Sequence, residues 1–536
     1  MTSTARWWLG AAALAAGVAC GRGTPAQPST TLSVEITDGT EHVGARVLLF
    51  DASGEPLHMG NIDLYGARQG AAACAIVTGV VASWDGLIIG SGRADIPVGI
   101  DACVPSPAIP YGRYKVWAWR GVEYERWEGE VDLSAGRGRV ELKISLERAW
   151  TPVGTLAADL HVHARASADS TVPNPQRVIA QVAAGIQVIA LSDHNTNGDL
   201  DQEIADLGFE SVVASIASNE LTANAFHIGV YPVVVDHTKP NGGAPAKEVV
   251  EKANATQLFE IAHAMPGNPI VQVNHPRFRV TALYDGTGWN GVSWPPPFPL
   301  AFDAVEVLAG YSAFNVPNDR RFDDGVRDFY TMIDHGHLIA PLGNSDTHDL
   351  NWVLDGTTRS YVFVDEPGTA PLDEAAFIAA IRARRVVATS GPWLDVEATV
   401  GDAPSAGPGQ WVRATGGTVK LDIELSQARF VKVERIRITI GGPTGPVLAQ
   451  TIDVPANVRT HRWTGDVVVG TADTWIGVTA DGDTALPLAL TGSYQRDKWK
   501  RDGVTPFAIA SPILVDADGD GRWKRGDADR ALTGTR

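Results

Sequence analysis

The chain has 536 residues, and its 44 Lys+Arg against 62 Asp+Glu leave a net charge of −18 with His neutral. That balance repels phosphate backbones and anionic lipid, which argues against nucleic acid as a partner. A hydrophobic content of 44% with 16 Trp favours real cores over disorder, and 3 Cys rule out a thiolate-rich metal site. Metal chemistry, if the chain has any, must use His and carboxylates. At roughly 150 residues per domain, the length allows three or four domains.

Residues 1–19 read as a signal peptide. Arg6 supplies a short positive region, and residues 7–19 are an apolar run ending in small residues, too short to span a bilayer. Gly17-Val18-Ala19-Cys20 resembles a bacterial lipobox, which implies a lipid anchor at Cys20 and an exported, periplasmic or cell-surface protein. Residues 20–31, small and Pro-bearing, suit a flexible tether. No other stretch reaches ~18 consecutive apolar residues. Cys74 and Cys103 either pair, as an oxidising compartment allows, or remain two buried thiols.

Residues 32–150 alternate in β fashion, with runs at 34–36, 45–50, 114–119 and 140–146 separated by Gly, Pro and Asp turns. A sandwich-like domain without chemistry is expected there.

At Asp159 the texture changes. His161 and His163 stand at i and i+2, which a strand turns to one face. Asp169 follows, then a helix-like stretch over 175–185. The run 188–191 delivers Asp193 and His194, and later strand-like runs deliver Glu220 and His227. Residues 270–273 end at Asn274-His275-Pro276, and 338–343 end at Asn344-Ser345-Asp346-Thr347-His348. Helical stretches at 247–265 and 321–335 intervene. Alternating strand and helix predicts a parallel α/β sheet, with ligands gathered at strand C-termini. Six imidazoles with Asp169, Glu220 and Asp346 would hold two or three divalent ions, and such N/O ligands suit Mn, Zn or Fe.

In this order, HVH, SDHN, the Glu of SNEL, FHIG, NHP and SDTH resemble the PHP (polymerase and histidinol phosphatase) metallohydrolases over residues 151–391. The resemblance implies a distorted (β/α)7 barrel. It implies one metal on His161, His163, Glu220 and Asp346, and a second on Glu220, His227 and His275. A third would lie on Asp169, His194 and His348. Ser167-Ala168-Asp169-Ser170 departs from the commoner Ser-Asp-Gly and resembles the carbaryl (aryl carbamate) hydrolase branch, as do residues 357–361 and 388–392. Ions so bridged would activate a water for attack and neutralise the developing oxyanion.

Other candidates carry two readings each. Asp193 either orients a ligand or relays a proton, or it caps a turn. Arg277 and Arg165 either clamp an anionic substrate or make surface salt bridges. His335 and His337 suit a helix C-terminus, and His263 a helix face. The Pro-rich run at 294–299 is expected to form a loop over the barrel mouth.

Residues 392–536 return to β texture at 419–425, 431–440 and 474–479, which predicts a second sandwich-like domain. Near its end, Asp516, Asp518, Asp520 and Asp527 occupy positions 1, 3, 5 and 12 with Gly521 at 6. That spacing fits either a calcium loop or a solvated acidic turn.

The expected activity is metal-dependent hydrolysis of a small-molecule phosphoester. Hydrolysis of a carbamate, ester or amide is the alternative, and an inactive PHP-type surface binding protein the third reading. Oligomeric state has no signature in the sequence.

Overall fold

The computed structural model describes residues 30–57, 75–77, 79–83, 86–99, 109–277, 281–293, 301–310, 320–350, 355–487, 505–526 and 528–532. The segment read as a signal peptide, Cys20, Cys74, Cys103, the Pro-rich run and Asp527 lie outside these residues. No helix among them is long and apolar enough to cross a membrane.

The predicted distorted (β/α)7 barrel is not what the chain forms. Strand makes up 43% against 13% helix, too little helix for a barrel of strand–helix repeats, and no sheet closes on itself among the described residues. The central strands divide between two sheets. Ala214–Ala217, Val188–Leu191, Thr155–Val162, Arg359–Phe363 and Val386–Thr389 lie side by side in one. Asn219–Thr222, His227–Tyr231, Ile270–Val273, Ala304–Ala309 and Ala340–Asn344 form the other. Among the described residues, backbone ladder pairing between the two sets is limited to isolated bridges, Val162 to Thr347 and His194 to Glu220.

The physical reason is connectivity. Asn219–Thr222 and His227–Tyr231 form a tight antiparallel hairpin with no helix between them, and Ile270–Val273 joins it antiparallel. Arg359–Phe363 likewise runs antiparallel to both its neighbours. Phe507–Asp516, arriving from far along the chain, then pairs with Val386–Thr389. The sheet therefore continues outward instead of curling shut, through Thr474–Asp481, Arg435–Gly442 and Gly445–Asp453, to ten strands.

Helices do form where apolar residues recur at helical spacing. Asn174–Ala183 begins with Pro at its first turn, which costs no hydrogen bond there. Ala255–Ala264 is capped reciprocally by Asn254 and Gln257. The stretch expected as one helix over 247–265 is broken between Lys247–Val250 and that helix. Arg320–Asp334 is the longest described helix.

The N-terminal segment builds a four-stranded and a six-stranded sheet that share one core, including Leu32, Val34, Val47, Leu49, Ile96, Val116 and Leu142. Its first strand, Thr30–Asp38, begins two residues inside the stretch read as tether. The C-terminal segment does not stand apart as a sandwich. Five of its strands, Trp411–Arg413 among them, belong to the ten-stranded sheet, and a three-stranded sheet, Trp393–Thr399, Thr418–Ser426 and Thr460–Val468, packs on them.

Candidate metal centre

Strand ends from both sheets converge on one point. His161 lies on Thr155–Val162 and His163 just beyond it, held by His163 N–H donating to the Thr347 carbonyl (3.0 Å). Asp346 N–H donates to the His161 carbonyl (2.9 Å), which locks the two ligand-bearing segments together. His194 and Glu220 are joined similarly, with Asn195 N–H on the Glu220 carbonyl (2.9 Å). Asn195, His275 and Asp346 all adopt left-handed φ values of 52°, 28° and 50°. Such strain in non-glycine residues persists where surrounding structure overdetermines it, and it clusters at functional sites.

The nine sequence-predicted ligands come together. His163, Asp169, His194 and His348 form one group whose ligand atoms lie within 4.8 Å of one another, and His161, His163 and Asp346 form another. Glu220 takes part in two more, with His161 and His275 and with His194 and His227. These buried groupings can hold metal ions. Two features of the donor set fit that role. His161 Nε2 and His163 Nε2 face each other at 3.0 Å, a confrontation of ring nitrogens that a shared cation relieves. The buried Asp169 Oδ1 has no hydrogen-bond partner among the described residues.

The electrostatics are those of a dense cluster of opposite charges. Burial opposes ionisation of Glu220, yet His227, His161 and His194 override it and hold the carboxyl well below its usual range. Burial likewise opposes protonation of His161, but Asp346, Glu306 and Glu220 raise it well above the ordinary histidine range. His163 goes the other way, lowered by burial and by the neighbouring His348 and His194. The cluster has a wet edge: the side chains of Asp169 and His194 are 36% and 17% exposed, while those of His161, His163 and Glu220 are fully buried. Solvent thus reaches the group from the Asp169 side.

The auxiliary candidates fall elsewhere. Asp193 is buried and its Oδ1 accepts the Ala164 (2.7 Å) and Ser167 (3.2 Å) N–H groups, so it shapes the turn that follows His163. Arg277 donates from Nε (2.8 Å) and Nη2 (2.5 Å) to Asp328 Oδ2 and lies over the Tyr284 ring. Arg165 is exposed. His263 Nε2 meets the Ala301 carbonyl oxygen (2.8 Å) on a helix face. His335 follows directly on helix Arg320–Asp334.

Sequence reasoning missed the residues that hold the ligands. Glu306 lies fully inside the strand Ala304–Ala309 and meets His161 Nδ1 (2.8 Å). Asn274 donates to Glu220 Oε1 (2.8 Å), and His194 Nδ1 meets Thr222 Oγ1 (2.6 Å). A signal for Glu306 was present: a lone carboxylate inside AVEVLA, where an uncompensated charge is costly to bury. Arg177 was missed as well. Fully buried, it donates to the His163 carbonyl (2.9 Å), Thr347 Oγ1 (3.2 Å) and Asp355 Oδ1 (2.6 Å), tying the His163 and His348 segments from behind.

The acidic loop near the C-terminus groups differently from its spacing. Asp473, Asp516 and Asp518 are the trio placed to hold an ion. Asp520 pairs with Lys524, and Asp516 accepts the Gly519 (2.7 Å) and Gly521 (3.0 Å) N–H groups and Arg413 Nε (3.1 Å).

No protein-family model matches the chain, and a comparison with curated proteins finds no match.

Proposed function

We propose that the chain is a metal-dependent hydrolase of small phosphoesters, akin to the PHP metallohydrolases in its ligand order. One observation carries this reading. Six imidazoles and three carboxylates, spread over nearly two hundred residues of sequence, surround one partly solvated site with Glu220 shared between groups. Divalent Mn, Zn or Fe held there supplies Lewis acidity and a water activated near neutral pH. The chain's own residues do the rest. Asn274 steadies Glu220, Glu306 steadies His161, and Asp193 and Arg177 fix the turns that carry His163 and His348. The exposed edge at Asp169 admits a substrate anion while the inner imidazoles stay dry.

Full-length protein loaded with Mn or Zn is assayed on a phosphomonoester, a phosphodiester and an aryl carbamate, alongside metal analysis. Phosphoester turnover, abolished in His161→Ala and Asp346→Ala, is expected. Turnover of the carbamate alone would move the substrate class to carbamates. Bound metal with no turnover on any of the three would leave a binding protein.

The apolar run at 7–19 followed by Cys20 supports export and lipidation. Labelled fatty acid is expected on the wild-type chain in cells and absent from Cys20→Ala. An unlabelled wild type rejects the anchor.

A further inference from the structure

Glu306 lies in a strand whose other residues are apolar or small, and its side chain receives only donors. Oε2 accepts the backbone N–H of His275 at 2.7 Å. Oε1 accepts Asn344 Nδ2 at 2.9 Å, and the orientation of that amide is set independently, because Asn344 Oδ1 accepts the Leu160 N–H at 2.9 Å. Gln272 Nε2 also points at Oε1, at 3.3 Å, while its own Oε1 meets the Tyr231 hydroxyl at 2.9 Å. The His275 N–H and the anchored Asn344 amide therefore make the Glu306 carboxyl an acceptor on both oxygens. His161 Nδ1, 2.8 Å from Oε1, must then be the donor of the fourth bond.

A neutral imidazole carries one proton. With it held at Nδ1, the lone pair of His161 sits on Nε2, the atom that faces His163 Nε2 (3.0 Å), Glu220 Oε1 (3.1 Å) and Asp346 Oδ1 (3.3 Å). The same carboxylate anchors the main chain of His275, which is held at a φ of 28°. His275 and His161 share a ligand group with Glu220. One side chain thus sets the tautomer of one ligand and the backbone of another.

We propose that Glu306 is a positioning residue that holds His161 as the Nδ1–H tautomer and His275 in its strained backbone conformation, so that both present Nε2 to the ion. This rests on the metal-centre reading above. Its specific content is that acceptor character at 306, and not merely a side chain of that volume, sets affinity. Gln at 306 would turn an NH2 group toward at least one of the four donors, whereas Asp retains two acceptor oxygens.

The test is Co(II) titration of the full-length chain, read by chelator competition and by the visible spectrum of bound cobalt. Relative to wild type, Glu306→Gln is expected to bind Co(II) about 10- to 100-fold more weakly, with an altered spectrum. Glu306→Asp should recover part of both. In Zn(II)-loaded wild type labelled with 15N-histidine, the resonance that disappears in His161→Gln should report a protonated Nδ1. This last readout decides the matter even where Glu306→Gln does not fold. An unprotonated Nδ1, or Glu306→Gln with wild-type affinity and spectrum, overturns the inference alone. A wild-type chain that takes up no Co(II) overturns the metal reading and the inference with it.

Discussion

Behind the candidate ligands, Asp159 shows how burial tunes a residue outside the ligand groups. It is fully buried, with Oδ1 accepting the Ser345 N–H (2.9 Å) and Oδ2 accepting Gln181 Nε2 (3.0 Å). Desolvation nonetheless dominates and lifts its pKa from 3.8 to about 6. The sign follows from linkage. Below the unfolded value the group is neutral in both states and costs nothing. As pH rises through the folded value, the native state must hold a buried charge, and stability is lost. An Asn cannot ionise, so in chelator-treated protein the stability of Asp159→Asn relative to wild type should improve by about 2 kcal/mol from pH 4.5 to pH 8. Urea unfolding at the two pH values measures the change, and a pH-independent difference would show that Asp159 titrates normally. At this scale the sequence was most legible for ligands, because His161, His163 and His348 are polar side chains at the ends of apolar runs. It was least legible for their supports. Glu306 shows only as a lone carboxylate in an apolar strand and Arg177 sits in an ordinary helix pattern, so tertiary packing alone shows what they face.

Individual strands and helices were legible because burial imposes a local period. Val188–Leu191 appears where its unbroken apolar run predicts it, Ile270–Val273 where a mostly apolar, β-branched run does, and Arg113–Trp119 where alternation does. Pairing was not legible, since nothing local tells Arg359–Phe363 to run antiparallel to Thr155–Val162, or brings Phe507–Asp516 beside Val386–Thr389. The way elements of the N-terminal and central segments lock together can be tested at one glycine. Gly121 has φ +64°, and a Cβ there would collide with the Ala184 carbonyl oxygen and Arg359 Nη2. Those two groups are bonded to each other at 2.8 Å, and Arg359 is fully buried. Gly121→Ala combines a left-handed backbone with an immovable neighbour on each side. It should cost about 2–4 kcal/mol in chemical denaturation, well above a surface Gly→Ala change such as Gly416, where nothing lies within reach. A loss under about 0.5 kcal/mol would mean that the turn relocates freely.

At the scale of the whole molecule, packing ties the three segments together, and they are expected to unfold as one cooperative body. Trp119, Val122 and Trp150 from the N-terminal segment share a single core with Tyr361 and Val387 of the central segment and with Leu394, Ile423 and Ile513 of the C-terminal one. Trp150 stacks on Trp393 with ring centroids 5.8 Å apart, bridging the two flanks directly. Polar groups repeat the pattern: Tyr361 donates to Glu123 (2.8 Å), and Arg120 donates to the Val182 carbonyl (2.6 Å). Cutting the chain to residues 151–391 would remove Phe507–Asp516, one of the two partner strands of Val386–Thr389, and strip both flanks from that core. It would also leave Arg359 buried without Glu123 nearby (3.7 Å). Exposed apolar sheet faces and an uncompensated charge each cost several kcal/mol, comparable to the whole stability of a domain at about 5–15 kcal/mol. The isolated 151–391 segment should therefore lose near-UV circular dichroism, bind a hydrophobic dye and unfold without a sharp transition, whereas residues 30–536 unfold in one step. A cooperative transition in the fragment, with native near-UV signal, would show that the central sheets hold the nine ligands in place without either flank.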